Sequence, residues 1–390
     1  MKEITDASFT AAKSAVNLSI GLIGIMALWL GLMRILEAGG LILSIAKALK
    51  PIMSWLFPQI PINHPAMGAM ILNISANMLG LGNAATPFGL KAMKELDKLN
   101  PIKGTASNAM CLFLAINTSS IALLPLGVIG VRAAAGASSP EAIWIPSTLA
   151  TLCSTFVAIF AAKFFSTKEQ VINKESRNEE IEIANDYEKF LKKPNLIEKQ
   201  FVLISVASLV LCFFISKSSI SDLPQWLMPT LMLLIISYGV SRGVKIYEAV
   251  TDGAKQGFEL AIKIIPFLVV ILVAIGMFRA SGAMSFAAKI LNPITSLIWM
   301  PAEVLPMAIV RPLSGTGAFG VMSEIITNAP DSYSSYLASV IMGSTETTFY
   351  VLAVYFGSVG ITKVRHAVIA AILADITGVV ASCFLTKIFY

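Results

Sequence analysis

Long apolar stretches alternate with short polar ones along most of the chain. Several are long enough to cross a bilayer, which takes about 20 apolar residues in a helix. No Asp, Glu, Lys or Arg occurs from Pro51 to Leu90, or from Thr105 to Val131. Val16–Leu36 reads as a first spanning helix, ending at Arg34, Glu37 and Gly39-Gly40. Leu41–Phe57 carries Lys47, Lys50 and Pro51, which fits an amphipathic or interfacial helix better than a span. Ile143–Ala162 is an ordinary span; Phe201–Ser216 and Trp226–Val240 are two more. Between them, Lys163–Lys199 holds eight basic and eight acidic residues and few large apolar ones. It is a solvated linker and marks the boundary between two halves.

Four apolar stretches are interrupted. In His64–Leu90, Asn73 and Asn77 stand one turn apart on one helix face, and Gly80, Gly82, Asn83 and Pro87 follow. A helix broken at membrane depth frees backbone groups, tolerated only where protein or water covers them. Asn73, Asn77 and Asn83 can supply that cover or coordinate Na⁺, a hard cation that takes oxygen ligands. Small-residue packing with asparagine as glue explains them equally well. In Asn108–Gly130, the cluster Asn117-Thr118-Ser119-Ser120 precedes Pro125 and Gly127, which implies a re-entrant hairpin or a broken helix. Asn117, Ser119 and Ser120 could bond a ligand or simply join helices. The third interruption is Arg311-Pro312-Leu313-Ser314-Gly315-Thr316-Gly317, and the fourth is Gly343-Ser344-Thr345-Glu346-Thr347-Thr348.

Glu346 is the single charged residue between Asp331 and Lys363. A carboxylate at the centre of a membrane helix costs roughly 2.5–3.5 kcal/mol on insertion scales, so something must offset it. A functional Glu346 binds a cation, accepts hydrogen bonds from a sugar-like hydroxyl, or titrates. A structural one pairs with Arg311 or Arg279. Arg311 in turn meets an anionic group or neutralises Glu303, Glu324 or Glu346. Asp375 is expected as a buried partner of Arg365 or His366.

The halves echo each other. Gly31-Leu-Met-Arg34, then Ala38-Gly39-Gly40, matches Gly276-Met-Phe-Arg279, then Ser281-Gly282-Ala283. Asn117–Gly130 lines up with Ser344–Gly357, placing Ser119 opposite Glu346. Paired broken segments in matching positions point to a transporter site at the repeat interface. If the broken segments are re-entrant, the two extra spans leave the repeats inverted; one hairpin fewer makes them parallel.

Composition agrees with a polytopic all-α membrane protein: 56% of residues are apolar and 13% charged, against about a quarter charged in soluble domains. The short alternating segments of a β-barrel are absent from the sequence. The formal charge of +6 needs no nucleic acid, because cytoplasmic loops of membrane proteins are rich in Lys and Arg. The basic residues after Ser241 and the linker then face the cytoplasm, although Lys91, Lys94, Lys98 and Lys103 compete with that orientation. Four cysteines lie singly in apolar runs, and two histidines without HExxH argue against a zinc enzyme. No phosphate-binding Gly-rich Lys motif is present, so direct ATP coupling is not expected. Ser344 or Thr345 beside Glu346 is a poor nucleophile–base pair, and no enzyme activity is expected.

Met78-Leu-Gly-Leu-Gly-Asn-Ala-Ala-Thr-Pro-Phe-Gly-Leu-Lys-Ala-Met93 resembles spore maturation protein A. Arg311–Ala318, Gly343–Ser358 and Arg365-His366-Ala367 with Asp375 resemble spore maturation protein B. The resemblance implies an A–B fusion: residues 1–165 a first gate repeat, 166–199 a linker, and 200–390 the second half with its gate repeat at about 254–390. Both parents carry a nucleoside-recognition, or gate, domain similar to parts of concentrative nucleoside transporters and of ferrous-iron transporter B. Gly343-Ser-Thr-Glu346 and Asn117-Thr-Ser-Ser120 look like the nucleoside transporters' Gly-Gln-Thr-Glu and Asn-Phe-Ser-Ser runs, with Ser344 where that family has Gln. This implies a substrate site at Glu346, Thr345, Ser344, Asn117, Ser119 and Ser120. Asn73, Asn77, Asn83, Ser314 and Arg311 bind an ion or support the breaks. The expected protein is a multi-pass component of the bacterial cytoplasmic membrane that moves a small solute, nucleoside-like or ionic. It needs no cofactor beyond Na⁺ or H⁺ coupling, and the resemblance implies homo-oligomeric assemblies. The rival readings are a structural or assembly factor, and a membrane enzyme, acting in envelope or spore-core dehydration.

Overall fold

The structure, a computed structural model, describes residues 2–80, 82–119, 122–166, 223–283, 286, 290, 293 and 295–390. The charged linker beyond Ser166, the expected span 201–216, Ser120 and the side chain of Asn83 lie outside the described residues. The described residues are helical throughout, apart from connections and one isolated bridge. Among the described residues, four segments are long and apolar enough to cross a membrane: Lys2–Ala38, Pro140–Phe164, Tyr333–Gly357 and Ala367–Phe389.

Helix α1 (Lys2–Ala38) is much longer than the expected Val16–Leu36 span. At about 1.5 Å per residue it reaches about 55 Å, beyond the roughly 30 Å of hydrocarbon. Its early polar residues are mostly exposed and offer nothing that stops a helix. Helix α2 (Leu41–Leu56) has the expected amphipathic character, with Lys47 and Lys50 exposed. Its apolar face packs along α3 (Pro65–Met78) and α4 (Gly82–Leu99): Ile42 joins Leu72, Ala76 and Leu79, and Met53 and Leu56 join Met67 and Met93.

Next come α5 (Asn108–Thr118), α6 (Leu126–Ala134) and α7 (Trp144–Phe164). After the linker follow α8 (Leu223–Ser241) and α9 (Ile246–Ala280). The chain ends with α10 (Leu305–Val310), α11 (Gly315–Asn328), α12 (Tyr333–Ser344), α13 (Thr348–Gly357) and α14 (Ala367–Phe389).

Helices α1 and α9 run antiparallel over most of their length. Gly31 meets Val250, Gly257 meets Met26 and Ala27, and Gly276 meets Ala11 and Ala7. Gly253 and Gly257 let the two backbones touch: a Cβ at Gly257 would stand 2.6 Å from the Met26 carbonyl oxygen. This is close packing through small residues, the usual means by which helices associate in lipid. Arg34 ties the pair at one end, bonding Glu37 at 2.7 Å and Asp252 at 2.9 Å.

Loop contacts show which helix ends meet. Ala106 donates to the Lys363 carbonyl and Lys363 to that of Gly104, both at 2.9 Å, so α5 and α14 start together. At the opposite end, the Ser138 amide and hydroxyl donate to Asp331 Oδ1 at 2.9 and 3.0 Å. The Tyr390 hydroxyl donates to the Asp331 carbonyl at 2.9 Å. That second end therefore gathers the end of α6, the start of α12 and the end of α14. The pair α5–α6 runs from the first end to the second, and α12–α13 runs back. Both are helix pairs broken midway that connect the two ends, the second of the two forms expected for Asn108–Gly130.

The pair α3–α4 instead starts and finishes at the first end. Its α4 end is joined there through the Asn100 amide, which donates to the Thr105 carbonyl at 2.8 Å. Helices α10–α11 turn back to the second end, where Tyr333 donates to the Trp299 carbonyl at 3.1 Å.

Candidate functional site

Each hairpin tip is completed by the broken helix of its own half. Gly80, at φ +74°, ends α3 in the left-handed region that glycine adopts freely. The Met78 carbonyl accepts from the Leu123 amide at 2.9 Å, across from the second interruption. The other tip repeats the arrangement: the Pro312 carbonyl accepts from the Phe349 amide at 3.0 Å. Backbone groups freed at membrane depth are thus paired inside the protein, as lipid requires.

Side chains cover the remaining groups. In the first half they come from α7. The Trp144 indole donates to the Leu123 carbonyl at 2.7 Å, and Thr151 to that of Ser119 at 3.0 Å. In the second half the cover comes from Arg311, 4% exposed. Its guanidinium donates to Thr345 Oγ1 at 3.2 Å, to Thr347 Oγ1 at 3.0 Å and to the Thr345 carbonyl. Ser314 caps α11, accepting from the Gly317 amide at 3.1 Å.

Glu346 stands 3.7 Å from Arg311, with its side chain 46% exposed. Its Oε2 accepts from the Thr347 amide at 3.2 Å. Arg311 is committed to the threonines, so the pairing with Glu346 is long and leaves most of the carboxylate open. The carboxylate faces a cavity of about 400 Å³. All four interruptions reach its wall: Leu79 and Gly80; Ala122, Leu124 and Pro125; Arg311, Gly315 and Thr316; Gly343 and Glu346. Helix α1 closes another side with Met26, Trp29 and Met33. The wall is thus mostly apolar, with a carboxylate, a guanidinium edge and a hydroxyl gathered at one place. Ligand sites in proteins have this volume range and this apolar character with few polar groups.

The other expected site residues lie elsewhere. Asn77 Nδ2 donates to Asn117 Oδ1 at 2.9 Å. Asn73 Nδ2 donates to the Ala85 carbonyl at 2.8 Å and to the Tyr355 hydroxyl at 3.0 Å. Tyr355 reaches Asn117 Oδ1 at 3.5 Å, so one asparagine cluster joins α3, α5 and α13. Ser119 bonds Thr155 at 2.9 Å, and Ser344 bonds Ser382 at 2.8 Å. Thr345, Ser344, Asn117 and Ser119, expected to share a ligand with Glu346, are not on the cavity wall; Arg311, expected to bind an ion or support a break, is.

Asp375 differs from expectation. It accepts from Thr348 at 2.7 Å. Arg365 instead donates to the Ala106 carbonyl at 2.8 Å and to Asn108 at 3.0 Å. Asp375 lies nearly three turns beyond Arg365, which holds the loop where α5 and α14 begin. Sequence reasoning also missed Tyr355, whose hydroxyl in an apolar run was the available signal. It missed Trp29 and Met26 as well, since nothing in α1 marks a cavity wall.

Antiparallel long helices, hairpins that turn back within the apolar layer and spanning helices broken at one cavity define an all-α polytopic membrane protein. The chain belongs to the nucleoside-recognition gate family, whose profile matches residues 19–135 and 261–362, together more than half of its length. It is similar to spore maturation protein B of Bacillus subtilis (strain 168), 47% identical over 174 residues, 43% of this chain and 98% of that protein. It is also similar to spore maturation protein A of the same organism, 46% identical over 165 residues, 42% of this chain and 84% of that protein. The two matches are consistent with an A–B fusion. No solved structure matches the chain.

Proposed function

We propose that the protein is a secondary transporter or permeation pathway for a small solute, with its site in the Glu346 cavity. One observation carries the reading: four separate helix interruptions converge on a single cavity that holds a half-exposed carboxylate. Breaking helices in lipid is costly, and transporters do so where a site is built. The apolar walls suit a planar or aliphatic body, and Glu346 suits a hydroxyl, amine or cation presented to it. A nucleoside-like solute combines a flat ring with sugar hydroxyls and fits both features.

We further propose that the halves form two inverted repeats. In support, each half has a long helix, a hairpin, a broken helix pair and a final span. The α5–α6 and α12–α13 pairs run in opposite directions. The linker leaves α7 at the end where Lys98, Lys103, Lys163, Lys363 and Arg365 gather, which favours placing that end in the cytoplasm of a bacterial inner membrane. Against a hydrolase reading, Thr345 Oγ1 is held by Arg311 and the Ile341 carbonyl, and Ser344 by Ser382.

The test is uptake by purified protein in liposomes, with nucleosides, metal ions and small acids offered under imposed Na⁺ and H⁺ gradients. Flux of a solute that competes with others for one site is expected. Well-folded protein that carries none of them would favour a structural role.

A further inference from the structure

We propose that Asp375 is the proton-exchanging group of this pathway, linking occupancy of the Glu346 cavity to a proton gradient. The inference rests on the transport reading above, which does not itself use Asp375.

Asp375 lies eight residues into the last spanning helix and is 6% exposed. Ionisable side chains at such positions mark ion pathways and proton relays. Its Oδ2 accepts from Thr348, the first residue of α13 after the break. The contact is one of three along a single face of α14. One turn on, a Cβ at Gly378 would stand 2.7 Å from Thr345 Cγ2. One further turn on, Ser382 bonds Ser344 at 2.8 Å. Positions 375, 378 and 382 therefore track Thr348, Thr345 and Ser344, the residues flanking Glu346. Any shift of the break must re-form these contacts, so the environment of Asp375 changes with the state of the cavity.

The charge count supports the same conclusion. Among the described residues, Arg311 and Glu346 are the charged groups that act on Asp375. One guanidinium faces two carboxylates, so the cluster carries one net negative charge when both are ionised and none when one binds a proton. Titratable groups on the other packed elements face elsewhere. Cys111 on α5 sits against the Val364 carbonyl near the start of α14, and Cys153 on α7 is exposed beside Ile376 and Thr377. Tyr333 and Tyr336 on α12 pack on Tyr390 at the second end. On α13, Tyr350 is exposed and Tyr355 joins the asparagine cluster. In the proposed step a proton from one aqueous side forms an O–H bond on the Asp375 carboxylate, and that bond breaks to release the proton to the other side.

The experiment uses the full chain in vesicles of phosphatidylethanolamine and phosphatidylglycerol. Infrared difference spectra between about pH 5 and about pH 9 follow the C=O stretch of protonated carboxyl groups, with no solute present. Tritiated uridine reports exchange at equal pH and accumulation against an imposed pH gradient. The expected result is a titrating band that Asp375→Asn removes and Asp375→Glu restores, and whose midpoint Thr348→Val shifts. Asp375→Asn should keep uridine exchange and lose gradient-driven accumulation, which Asp375→Glu should recover. Wild-type vesicles that carry no uridine would count against the nucleoside reading, and the infrared band would then decide the role of Asp375. A band indifferent to both Asp375→Asn and Thr348→Val, or accumulation by Asp375→Asn equal to wild type, would overturn the proposal.

Discussion

Replacing Arg311 and Glu346 separately distinguishes a structural ion pair from a binding site. Arg311→Met removes the guanidinium from the Thr345 carbonyl, Thr345 Oγ1 and Thr347 Oγ1. Thr345 Oγ1 keeps its bond to the Ile341 carbonyl, at 2.7 Å. The Thr345 carbonyl and Thr347 Oγ1 both lose their guanidinium donors at membrane depth, each at a cost of about 1–3 kcal/mol. Truncating one member of a buried charged network gives a similar figure, about 3–5 kcal/mol. Glu346→Gln loses far less. The carboxylate is 46% exposed and 3.7 Å from its partner, so the pair contributes at most about 1 kcal/mol. Thermal unfolding of the detergent-purified protein, followed by tryptophan fluorescence, should show a large drop for Arg311→Met and a small one for Glu346→Gln. Comparable drops for both would mean that Glu346 is held as a structural counter-ion, and the site reasoning would fail.

Three further outcomes are expected. Gly378→Ala places a Cβ 2.7 Å from Thr345 Cγ2 and should lower both thermal stability and flux, whereas Gly127→Ala, with nothing within 4 Å, should be close to neutral by the same melt. Tyr355→Phe removes the hydroxyl between Asn73 and Asn117 and should cost about 1 kcal/mol in the same melt, with a preserved mutant stability ruling out a structural asparagine cluster. His64 caps α3 by accepting from the Ala66 amide at Nδ1, which requires the neutral ring; burial lowers its pKa, against the raising influence of Glu95 and with Lys98 adding to the lowering. A pKa lowered on folding means the cap's stability is present above the ordinary value of 6.5 and is lost as pH falls through the folded value. The protection of the Ala66 amide, its exchange rate relative to the intrinsic rate at each pH, should therefore fall with acid in the wild type but not in His64→Asn, since asparagine caps without titrating.

The spans and their interruptions were legible because lipid permits so few solutions. Glycine, proline and clustered polar residues in an apolar run mark candidate breaks, and the four so marked are the four that meet. The distinction between hairpin and broken span was not legible. It depends on where loops such as 104–106 and 361–363 pair, and their sequence carries no signal of each other. Partner choice was equally hidden. Arg311 fell within the expected set, yet its threonine partners arise from a fold-back of α10–α11 onto the α12–α13 break. Asp375 was assigned to nearby cations by sequence proximity, while the helix turn points it at Thr348. The alignment of Ser119 with Glu346 pairs like positions in the sequences of the two halves, and sequence likeness alone does not place two residues on one cavity wall.

The most direct test of the central claim is tritiated uridine uptake by vesicles holding wild-type protein or Glu346→Gln, each shown to be folded by its melt. Saturable uptake by the wild type, and its loss in Glu346→Gln with little change in melting, is the predicted result. Equal uptake by both would contradict a solute site at Glu346.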